Sequence, residues 1–142
     1  MNEAFLKHIE AMEPSYRALL DMSPARATVL PKEIPSRGIY LFSERGEHLY
    51  VGRSNRIRKR LQEHCRPSSG HNSATLAFRI ARESTGQLVP TYVTKGSRAG
   101  LERNPDFAEA FSAAKSRVRS MEIRYVEELH PTRQALLEMY VS

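Results

Sequence analysis

"RGIYLFSERGEHLYVGRSNRIRKRLQEHC", residues 37–65, joins two short apolar runs through a charged turn and follows them with a burst of basic residues. The runs at 37–43 and 48–53 alternate between residues for one face and residues for the other, and each carries a tyrosine close to a glycine. Alternation of this kind on both sides of turn residues predicts a β-hairpin. The register of that hairpin decides which side chains meet.

Aliphatic side chains define the predicted register. Ile39 and Leu41 share one face of the first strand, and Leu49 and Val51 share one face of the second. Pairing Leu41 with Leu49 aligns these faces, whereas a slip of one residue would turn one set outward. The pairing leaves a three-residue loop, 44–46, and such loops commonly end with a left-handed glycine, here Gly46.

The same register places Tyr40 opposite Tyr50, with Cβ atoms roughly 5 Å apart. The two phenols could therefore address one site. An aromatic cross-strand pair that covers a helix is the structural alternative. Gly38 and Gly52 favour the site, because a glycine inside or at the end of a strand often marks the close approach of a ligand or another backbone.

A helix is predicted over residues 54–65, with Ser54 as its cap. Its core-facing stripe holds Ile57, Leu61 and Cys65. The neighbouring stripe holds Arg56, Arg60 and His64. His64 is interpreted as a proton-transfer group or a phosphate donor, with a surface histidine as the alternative. Nearby cations would favour phenolate and so make a tyrosine a usable base at neutral pH.

Positive charge is concentrated directly after the hairpin. The chain has a net charge of +6, and residues 53–66 carry six basic residues against the single acid Glu63. The basic residues are Arg53, Arg56, Arg58, Lys59, Arg60 and Arg66. Such a cluster favours contact with phosphate or nucleic acid, while a solvated helix face is the alternative.

The rest of the chain supplies helices and one more strand. The 142 residues fit a single domain of ordinary globular composition. Further elements are predicted at 2–21 (a helix, or two short helices divided at Pro14), 23–36 (an extended connector), 72–84 (a helix), 86–104 (a loop), 105–117 (a helix capped by Asn104), 119–129 (a strand) and from Pro131 onward (a helix). The expected fold class is α+β, a small three-stranded antiparallel sheet flanked by helices.

Cysteine usage and hydropathy indicate the compartment. Cys65 is the only cysteine, so no internal disulfide can form. The apolar runs are too short to span a membrane, and charges are spread through the first twenty residues, unlike a signal peptide. We therefore expect a cytoplasmic protein without membrane association. The sequence leaves the oligomeric state open.

A carboxylate lies among apolar residues near residue 142. In "QALLEMYV", Glu138 is flanked on both sides by apolar side chains, and a carboxylate there is costly unless it is solvated, paired or bound to a cation. Gln134 lies four residues earlier on the same face. A helix that faces solvent on one side is the alternative. Glu127 and Glu128, at the end of the third strand, are interpreted as structural.

At these residues the sequence resembles the GIY-YIG nuclease superfamily. "GIY" at 38–40 and "YVG" at 50–52 match the two motifs that name it, with Val51 in place of the usual isoleucine. Arg60, eight positions beyond the second motif, and the late "ALLE" that ends on Glu138 match further family positions. The resemblance covers residues 37–142, so residues 1–36 are expected to form a helical N-terminal extension and linker.

The resemblance implies an endonuclease that hydrolyses DNA phosphodiester bonds with one divalent cation. Glu138 would bind Mg²⁺ or Mn²⁺. Tyr40 would act as the general base or position the attacking water, and Tyr50 would orient it. Arg60 would neutralise developing charge on the phosphate, and His64 matches a position used in several members. The residues expected to contact DNA are Arg53, where lysine is common in some members, and Ser54, Arg56, Lys59 and Arg66.

One family feature is missing from residues 1–142. Members usually carry an asparagine after the glutamate helix, often near a Pro-Tyr-Asn sequence, whereas this sequence reaches only Ser142, four residues past Glu138. Two alternatives to an active endonuclease therefore stay open. One is a nucleic-acid-binding module that has lost cleavage, and the other is a protein-interaction domain that uses the helix at 2–21 to bind a partner.

Overall fold

A computed structural model describes residues 2–86 and 98–142 of the chain. Its elements are α1 (Glu3–Asp21), β1 (Gly38–Glu44), β2 (Glu47–Ser54), α2 (Ile57–Cys65), α3 (Thr75–Thr85), α4 (Arg98–Glu102), α5 (Pro105–Arg119), β3 (Glu122–Glu127) and α6 (Pro131–Val141). The strands form an antiparallel sheet in the order β2-β1-β3, which confirms the expected α+β fold class. No helix within these described stretches is both long enough and apolar enough to cross a membrane.

The chain forms two compact units. Met1–Lys59 and Met121–Ser142 make up the first, which we call the sheet unit because it holds all three strands together with α1 and α6. Arg60–Ser120 make up the second, the helical unit, which holds α3, α4 and α5. The division falls within α2. In sequence, the helical unit is therefore an insertion between the second and third strands.

The core of the sheet unit lies between the sheet and two helices. Leu19 of α1, Ile39 and Leu41 of β1, and Leu137 and Val141 of α6 form one buried cluster. Alternation along β1 sends its aliphatic side chains to this face, as the sequence predicts. Full burial of each side chain contributes about 1.5–3 kcal/mol, so this cluster fixes α6 against β1.

One predicted helix is confirmed and the start of another is wrong. Residues 3–21 form a single helix that continues through Pro14, so of the two predictions for this segment the undivided helix is correct. The second helix begins at Ile57 rather than at 54. The Ser54 hydroxyl accepts a hydrogen bond from the Arg56 N–H at 2.9 Å, which makes Ser54 part of a turn that precedes the helix instead of its cap.

Later elements agree better with the sequence. The predicted helix after Asn104 is α5, and the Asn104 side chain accepts hydrogen bonds from the N–H groups of Asp106 and Phe107, which confirms the cap. The third strand spans only 122–127 of the predicted 119–129. In the segment predicted as loop, residues 98–102 form α4, and residues 87–97 lie outside the described residues.

The hairpin register differs from the predicted one. Leu41 pairs with Val51 rather than with Leu49. The loop consists of two residues, Arg45 and Gly46, and not of the predicted three. Their φ angles are 53° and 81°, and two positive values in succession are what a type I′ hairpin turn requires. The left-handed conformation expected for Gly46 is confirmed.

A β-bulge accounts for the shifted register. Phe42 pairs with Tyr50 and Ser43 with His48, so Leu49 is the extra residue of the bulge. Leu49 and Val51 are two residues apart, and a shift of two residues keeps the same side chains on the same face of the strand. The aliphatic match therefore moves from Leu49 to Val51, while both candidates look equally good in the sequence.

The helical unit is built around aromatic rings and a buried lysine. Phe78 of α3 packs edge-on against Phe107 and Phe111 of α5, with ring centroids 5.1 and 5.5 Å away. The Lys115 ammonium lies 4.4 Å from the centroid of the Phe111 ring. These contacts join α3 to α5 and form the core of this unit.

Candidate functional site

Two tyrosine rings lie side by side on the sheet, although not by the predicted pairing. Tyr40 pairs with Gly52, so the prediction that it lies opposite Tyr50 is wrong. The two rings nevertheless stack, with centroids 6.4 Å apart and planes at 28°, because Tyr50 is the diagonal neighbour across the ladder. Tyr40 is 1% exposed, whereas Tyr50 is half-buried. The two phenols are therefore neighbours.

Two glycines make room for this arrangement. A Cβ atom at Gly52 would overlap the phenol oxygen and ring of Tyr40, so only glycine allows the phenol to lie across β2. At Gly38 a Cβ atom would overlap the main-chain oxygen of Val126 on β3, and the φ of +155° also disfavours other residues. The glycines of both motifs are thus required by close packing, as their strand positions suggested.

The turn between β2 and α2 presents polar side chains to solvent. Arg53, Asn55 and Arg56 are exposed, and Ser54 is half-buried. Within the described residues, neither Arg53 nor Arg56 has an ion pair or a hydrogen bond from its guanidinium. The turn borders a pocket of about 350 Å³ whose lining residues are Arg53, Ser54, Asn55, Pro131 and Gln134. Positive charge is therefore available at this turn.

Gln134 of α6 connects this turn to the end of β3. It is only 5% exposed. Its Nε2 donates to the main-chain oxygen of Glu128 at 2.6 Å and to Oδ1 of Asn55 at 3.3 Å. The carboxylate of Glu128, 9% exposed, accepts from Nε of Arg133 at 3.1 Å and from the His130 N–H at 3.0 Å. Glu128 thus has the structural role that its position at a strand end suggested.

Glu138 lies one helical turn beyond Gln134 on the same stripe of α6. Its side chain is half-buried. Within residues 2–86 and 98–142, its carboxylate makes no hydrogen bond or ion pair. Leu137 is buried whereas Met139 and Tyr140 are exposed, so α6 does face solvent on one side and that alternative stays open. The charge of Glu138 is left to water or to a bound cation.

Arg60, in the helical unit, is held by its own surroundings. Its guanidinium donates to the main-chain oxygen of Ser73 at 2.6 Å and to the Thr75 hydroxyl at 3.3 Å. It also pairs with the carboxylate of Glu63 at 3.4 Å. The side chain keeps only 21% of its exposure, so Arg60 is pre-positioned rather than freely mobile.

His64 is fully buried, so its interpretation as a surface histidine is wrong. Burial lowers the pKa of His64 to about 3, and the positive charge of Arg60 adds to this effect. The imidazole is therefore neutral at pH 7. The predicted burial of the core-facing stripe is confirmed, since Ile57, Leu61 and Cys65 are each at most 4% exposed.

The remaining basic residues of the cluster divide into two kinds. Arg58 donates through its guanidinium to the main-chain oxygens of Pro31 and Lys32, the latter at 2.9 Å, and so fastens the connector 23–36 to the start of α2. Lys59 and Arg66 are exposed, and neither forms an ion pair with another described residue. Most of the cluster is therefore accessible, but not all of it.

Asn55 and the role of Gln134 are the parts of this region that sequence patterns do not single out. Asn55 follows Ser54 directly within the basic stretch and has no motif of its own. The signal for Gln134 was its position four residues before Glu138, which indicates a shared face but not a partner. Its partner Asn55 is 79 residues away in the chain, beyond the reach of local patterns.

Comparison with known proteins supplies the family. The family model described as the GIY-YIG catalytic domain matches residues 37–141. Comparisons with curated proteins and with solved structures find no significant match. The matched range begins just before the first glycine motif and extends through Glu138, so it includes both stacked tyrosines and most of the chain. The chain therefore belongs to the GIY-YIG nuclease superfamily.

Proposed function

We propose that the protein is a metal-dependent endonuclease that hydrolyses phosphodiester bonds of DNA. The observation that carries this proposal is the stacked pair of Tyr40 and Tyr50, with ring centroids 6.4 Å apart, inside a domain that matches an endonuclease family from residue 37 to 141. Two aromatic rings can pack over a glycine without hydroxyl groups. Two hydroxyl groups at that position favour a chemical role.

In this proposal Tyr40 receives a proton from the attacking water, or holds that water by a hydrogen bond. Tyr50 orients the same water from the neighbouring position. The rings keep each other in place by stacking, and the packing of Tyr40 across Gly52 limits its rotation. Fixed orientation of a reacting water lowers the entropic cost of the attack.

The basic residues stabilise negative charge in two ways. Arg60 has the role that the family resemblance implies, which is neutralisation of charge that develops at the phosphate. Its guanidinium is held within the helical unit by the main-chain oxygen of Ser73 and the hydroxyl of Thr75. Exposed Arg53, Arg56, Lys59 and Arg66 bind the phosphates of the DNA backbone. His64, neutral at pH 7, acts in this proposal as a hydrogen-bonding group and not as an acid.

Glu138 fits a hard divalent cation such as Mg²⁺ or Mn²⁺. Within the described residues there is no group of three or more His, Cys, Asp and Glu side chains that could hold a metal ion. Mg²⁺ usually binds through one or two carboxylates, keeps several waters and takes the rest of its ligands from substrate phosphates, so a single carboxylate is compatible with it. When bound, the cation supplies Lewis-acid stabilisation of the leaving oxygen.

Cleavage of supercoiled plasmid DNA in Mg²⁺ or Mn²⁺ tests this function. We expect nicking by the wild-type protein and a loss of at least about 100-fold in Glu138→Gln, since each positioned group of this kind contributes on that order. Tyr40→Phe keeps the ring and its packing, and should lose activity by a comparable factor. Glu127→Gln is the matched control, because Glu127 is an exposed acid at the end of β3.

Two results would contradict the proposal. One is the absence of nicking above background by folded wild-type protein with either cation. The other is equal nicking by wild-type and Glu138→Gln proteins. Salt-sensitive DNA binding without nicking would instead support the binding module that has lost cleavage, because the exposed arginines do not depend on Glu138.

A further inference from the structure

A polar pocket lies at the end of β2, and Tyr40, Tyr50 and Glu138 are not among its lining residues. Its volume is about 350 Å³, and its lining residues Arg53, Ser54, Asn55, Pro131 and Gln134 all belong to the sheet unit. None of the five is acidic, and one carries a permanent positive charge. A concave site with these properties suits an anion.

The charge of Arg53 is not consumed by the protein. Within the described residues its guanidinium makes no ion pair or hydrogen bond. Glu128, the buried acid that Gln134 contacts, is already neutralised by Arg133 through Nε at 3.1 Å from both carboxylate oxygens. The negative charge of Glu128 therefore does not satisfy Arg53, and the guanidinium can bind an oxyanion in two-pronged fashion.

Gln134 determines which way the Asn55 amide points. The Gln134 Nε2 has two N–H donors, and they go to the main-chain oxygen of Glu128 and to Oδ1 of Asn55. Because Oδ1 of Asn55 is the acceptor, the Nδ2 group on the other branch of the same planar amide points away from Gln134. Asn55 is exposed, so two N–H donors are offered at the pocket.

Ser54 adds one more donor. Its oxygen accepts the Arg56 N–H at 2.9 Å, which leaves its own O–H free to donate outward. The turn 53–55 thus presents a guanidinium, a hydroxyl and an amide NH₂ group from three consecutive residues. Donors together with a positive charge recognise phosphate oxygens, and the charge of Arg53 opposes the binding of a cation.

We propose that this pocket binds a phosphate group of the DNA strand through Asn55 as well as Arg53, and that Gln134 orients Asn55 for that contact. Arg53, Ser54 and Asn55 contact that phosphate, and Gln134 is a positioning residue that acts through Asn55. The inference rests on the proposed function for the identity of the ligand as DNA. The pocket would hold the DNA strand in register with the tyrosine pair, because Tyr50 and Arg53 both lie on β2 and Tyr40 lies on the adjacent β1.

DNA binding without cleavage tests the pocket. The probe is a short duplex in buffer that contains Ca²⁺ instead of Mg²⁺, with affinity measured by fluorescence anisotropy. Asn55→Asp keeps the oxygen that accepts from Gln134 but replaces the donors with a negative oxygen. We expect about a tenfold loss of affinity and an unchanged melting temperature. Asn72→Asp, the same change at an exposed asparagine of the helical unit, should change affinity less than about threefold.

A double-mutant cycle tests the role of Gln134. Gln134→Met keeps the length of the side chain but cannot hold the Asn55 amide. We expect about a threefold to tenfold weaker binding, and no further loss when the same change is made in Asn55→Ala protein. In ¹⁵N-labelled wild-type protein the Asn55 NH₂ signals, assigned by their absence in Asn55→Ala, should shift on addition of the duplex. A purely structural Gln134 would weaken binding equally in both backgrounds.

Several results would overturn the inference. They are wild-type affinity in Asn55→Asp, an equal loss in Asn72→Asp, and additive effects of Gln134→Met and Asn55→Ala. A shift of the Asn55 signals with millimolar inorganic phosphate but not with the duplex would also overturn it, because the pocket would then bind a free anion. If the wild-type protein cleaves plasmid and Asn55→Asp still binds DNA with wild-type affinity, the pocket is refuted and the proposed activity stands. If the variants bind as expected and the wild-type protein does not cleave plasmid, the proposed activity is refuted and the pocket stands.

Discussion

Lys115 and Arg60 of the helical unit and Arg53 and Arg56 of the sheet unit are all basic, but their surroundings engage the two pairs differently. In the helical unit, Lys115 donates to the main-chain oxygens of Pro67 and Ser69 at 2.7 and 2.9 Å, and Arg60 donates to that of Ser73 at 2.6 Å. In the sheet unit, Arg53 and Arg56 are exposed, and no described residue pairs with their guanidinium groups. Main-chain oxygens hold the first pair, so these side chains contribute to folding, and Arg60 does so in addition to the phosphate contact proposed for it. The second pair is held by no described residue and is available to a ligand.

The difference shows what a charge cluster in a sequence can and cannot indicate. The basic stretch 53–66 contains cations of both kinds, because Arg58 and Arg60 donate to main-chain oxygens whereas Arg53 and Arg56 have no described partner. A count of charges in the sequence does not separate the two kinds. A cation that satisfies main-chain carbonyls contributes to folding and keeps a fixed geometry. A cation without a partner contributes to long-range attraction and to salt-sensitive binding. Cations that donate to main-chain oxygens and cations without a partner respond differently to mutation.

The largest effect is expected from acid on the helical unit. The pKa of His64 in the folded protein, about 3, lies below its ordinary value of 6.5 because burial disfavours the charged form. This contribution to stability is present above pH 6.5 and is lost as the pH falls toward 3, by up to about 1.4 kcal/mol per pH unit. Urea unfolding across this range should show a shallower pH slope in His64→Leu than in wild-type protein.

His48 provides the control for that test, because it is exposed on the hairpin. His48→Leu should retain the wild-type slope. Identical slopes in wild-type and His64→Leu proteins would contradict the neutral, buried state of His64. Differences in absolute stability between the variants do not affect this comparison.

The next effect is expected at Lys115. Lys115→Met keeps much of the volume but removes two hydrogen bonds and the contact with the Phe111 ring. Two carbonyls lose their donor, and that of Ser69 is buried, so we expect a loss of about 2–3 kcal/mol in the free energy of unfolding. Lys59→Met, at an exposed lysine, should stay within about 0.5 kcal/mol of the wild type. Equal stability of the two variants would contradict a structural role for Lys115.

Two arginines four residues apart sharpen the comparison further. Arg60→Ala should lower the free energy of unfolding by about 1–3 kcal/mol, because Ser73 and Thr75 lose a donor. Arg56→Ala should leave stability within about 0.5 kcal/mol and reduce the slope of DNA affinity against salt concentration by about 0.9. Thermal unfolding and salt titration measure the two effects separately. A reversed pattern would show that the two arginines were assigned to the wrong uses.

The smallest effect is expected at the hairpin turn, where the test concerns backbone conformation and not the partner of a charged side chain. Arg45 has a φ of 53°, a left-handed conformation that asparagine tolerates better than arginine. Arg45→Asn creates the Asn-Gly pair that type I′ turns prefer, so stability should rise by about 0.5 kcal/mol. Chemical denaturation measures the change. A loss of stability would indicate that Arg45 has a role beyond the turn.

Much of the fold could be predicted from the sequence, because local patterns are strong at its elements. The alternation at 37–43 identified β1, and Asn104 before Pro105 identified the start of α5. The register could not be predicted, since a bulge at Leu49 leaves two aliphatic matches that look alike. Helix α1 ran through Pro14 because packing of Leu19 and its neighbours overrode the local signal.

The candidate site was predictable to a smaller extent. The motifs indicated Tyr40, Tyr50 and the glycines, whereas the reason for Gly52 became visible only with the phenol across it. The burial of His64 and the contacts of Arg60 depend on tertiary packing that no spacing within one helix reveals. The proximity of Asn55 to Gln134 joins segments far apart in the chain, and side-chain contacts of that range leave no periodic signal.

The position of β3 has a consequence for how the chain folds as it is synthesised. Strand β1 is the central strand, and its two neighbours form at different times because β2 follows it directly while β3 comes after the whole helical unit. Until residues 122–127 leave the ribosome, one edge of β1 has no strand to pair with, and such open edges promote association between chains. A nascent chain that ends at residue 120 should therefore aggregate or recruit a chaperone, whereas one that includes β3 and α6 should not. Ribosome-bound chains of both lengths, probed by limited proteolysis, would reveal the difference.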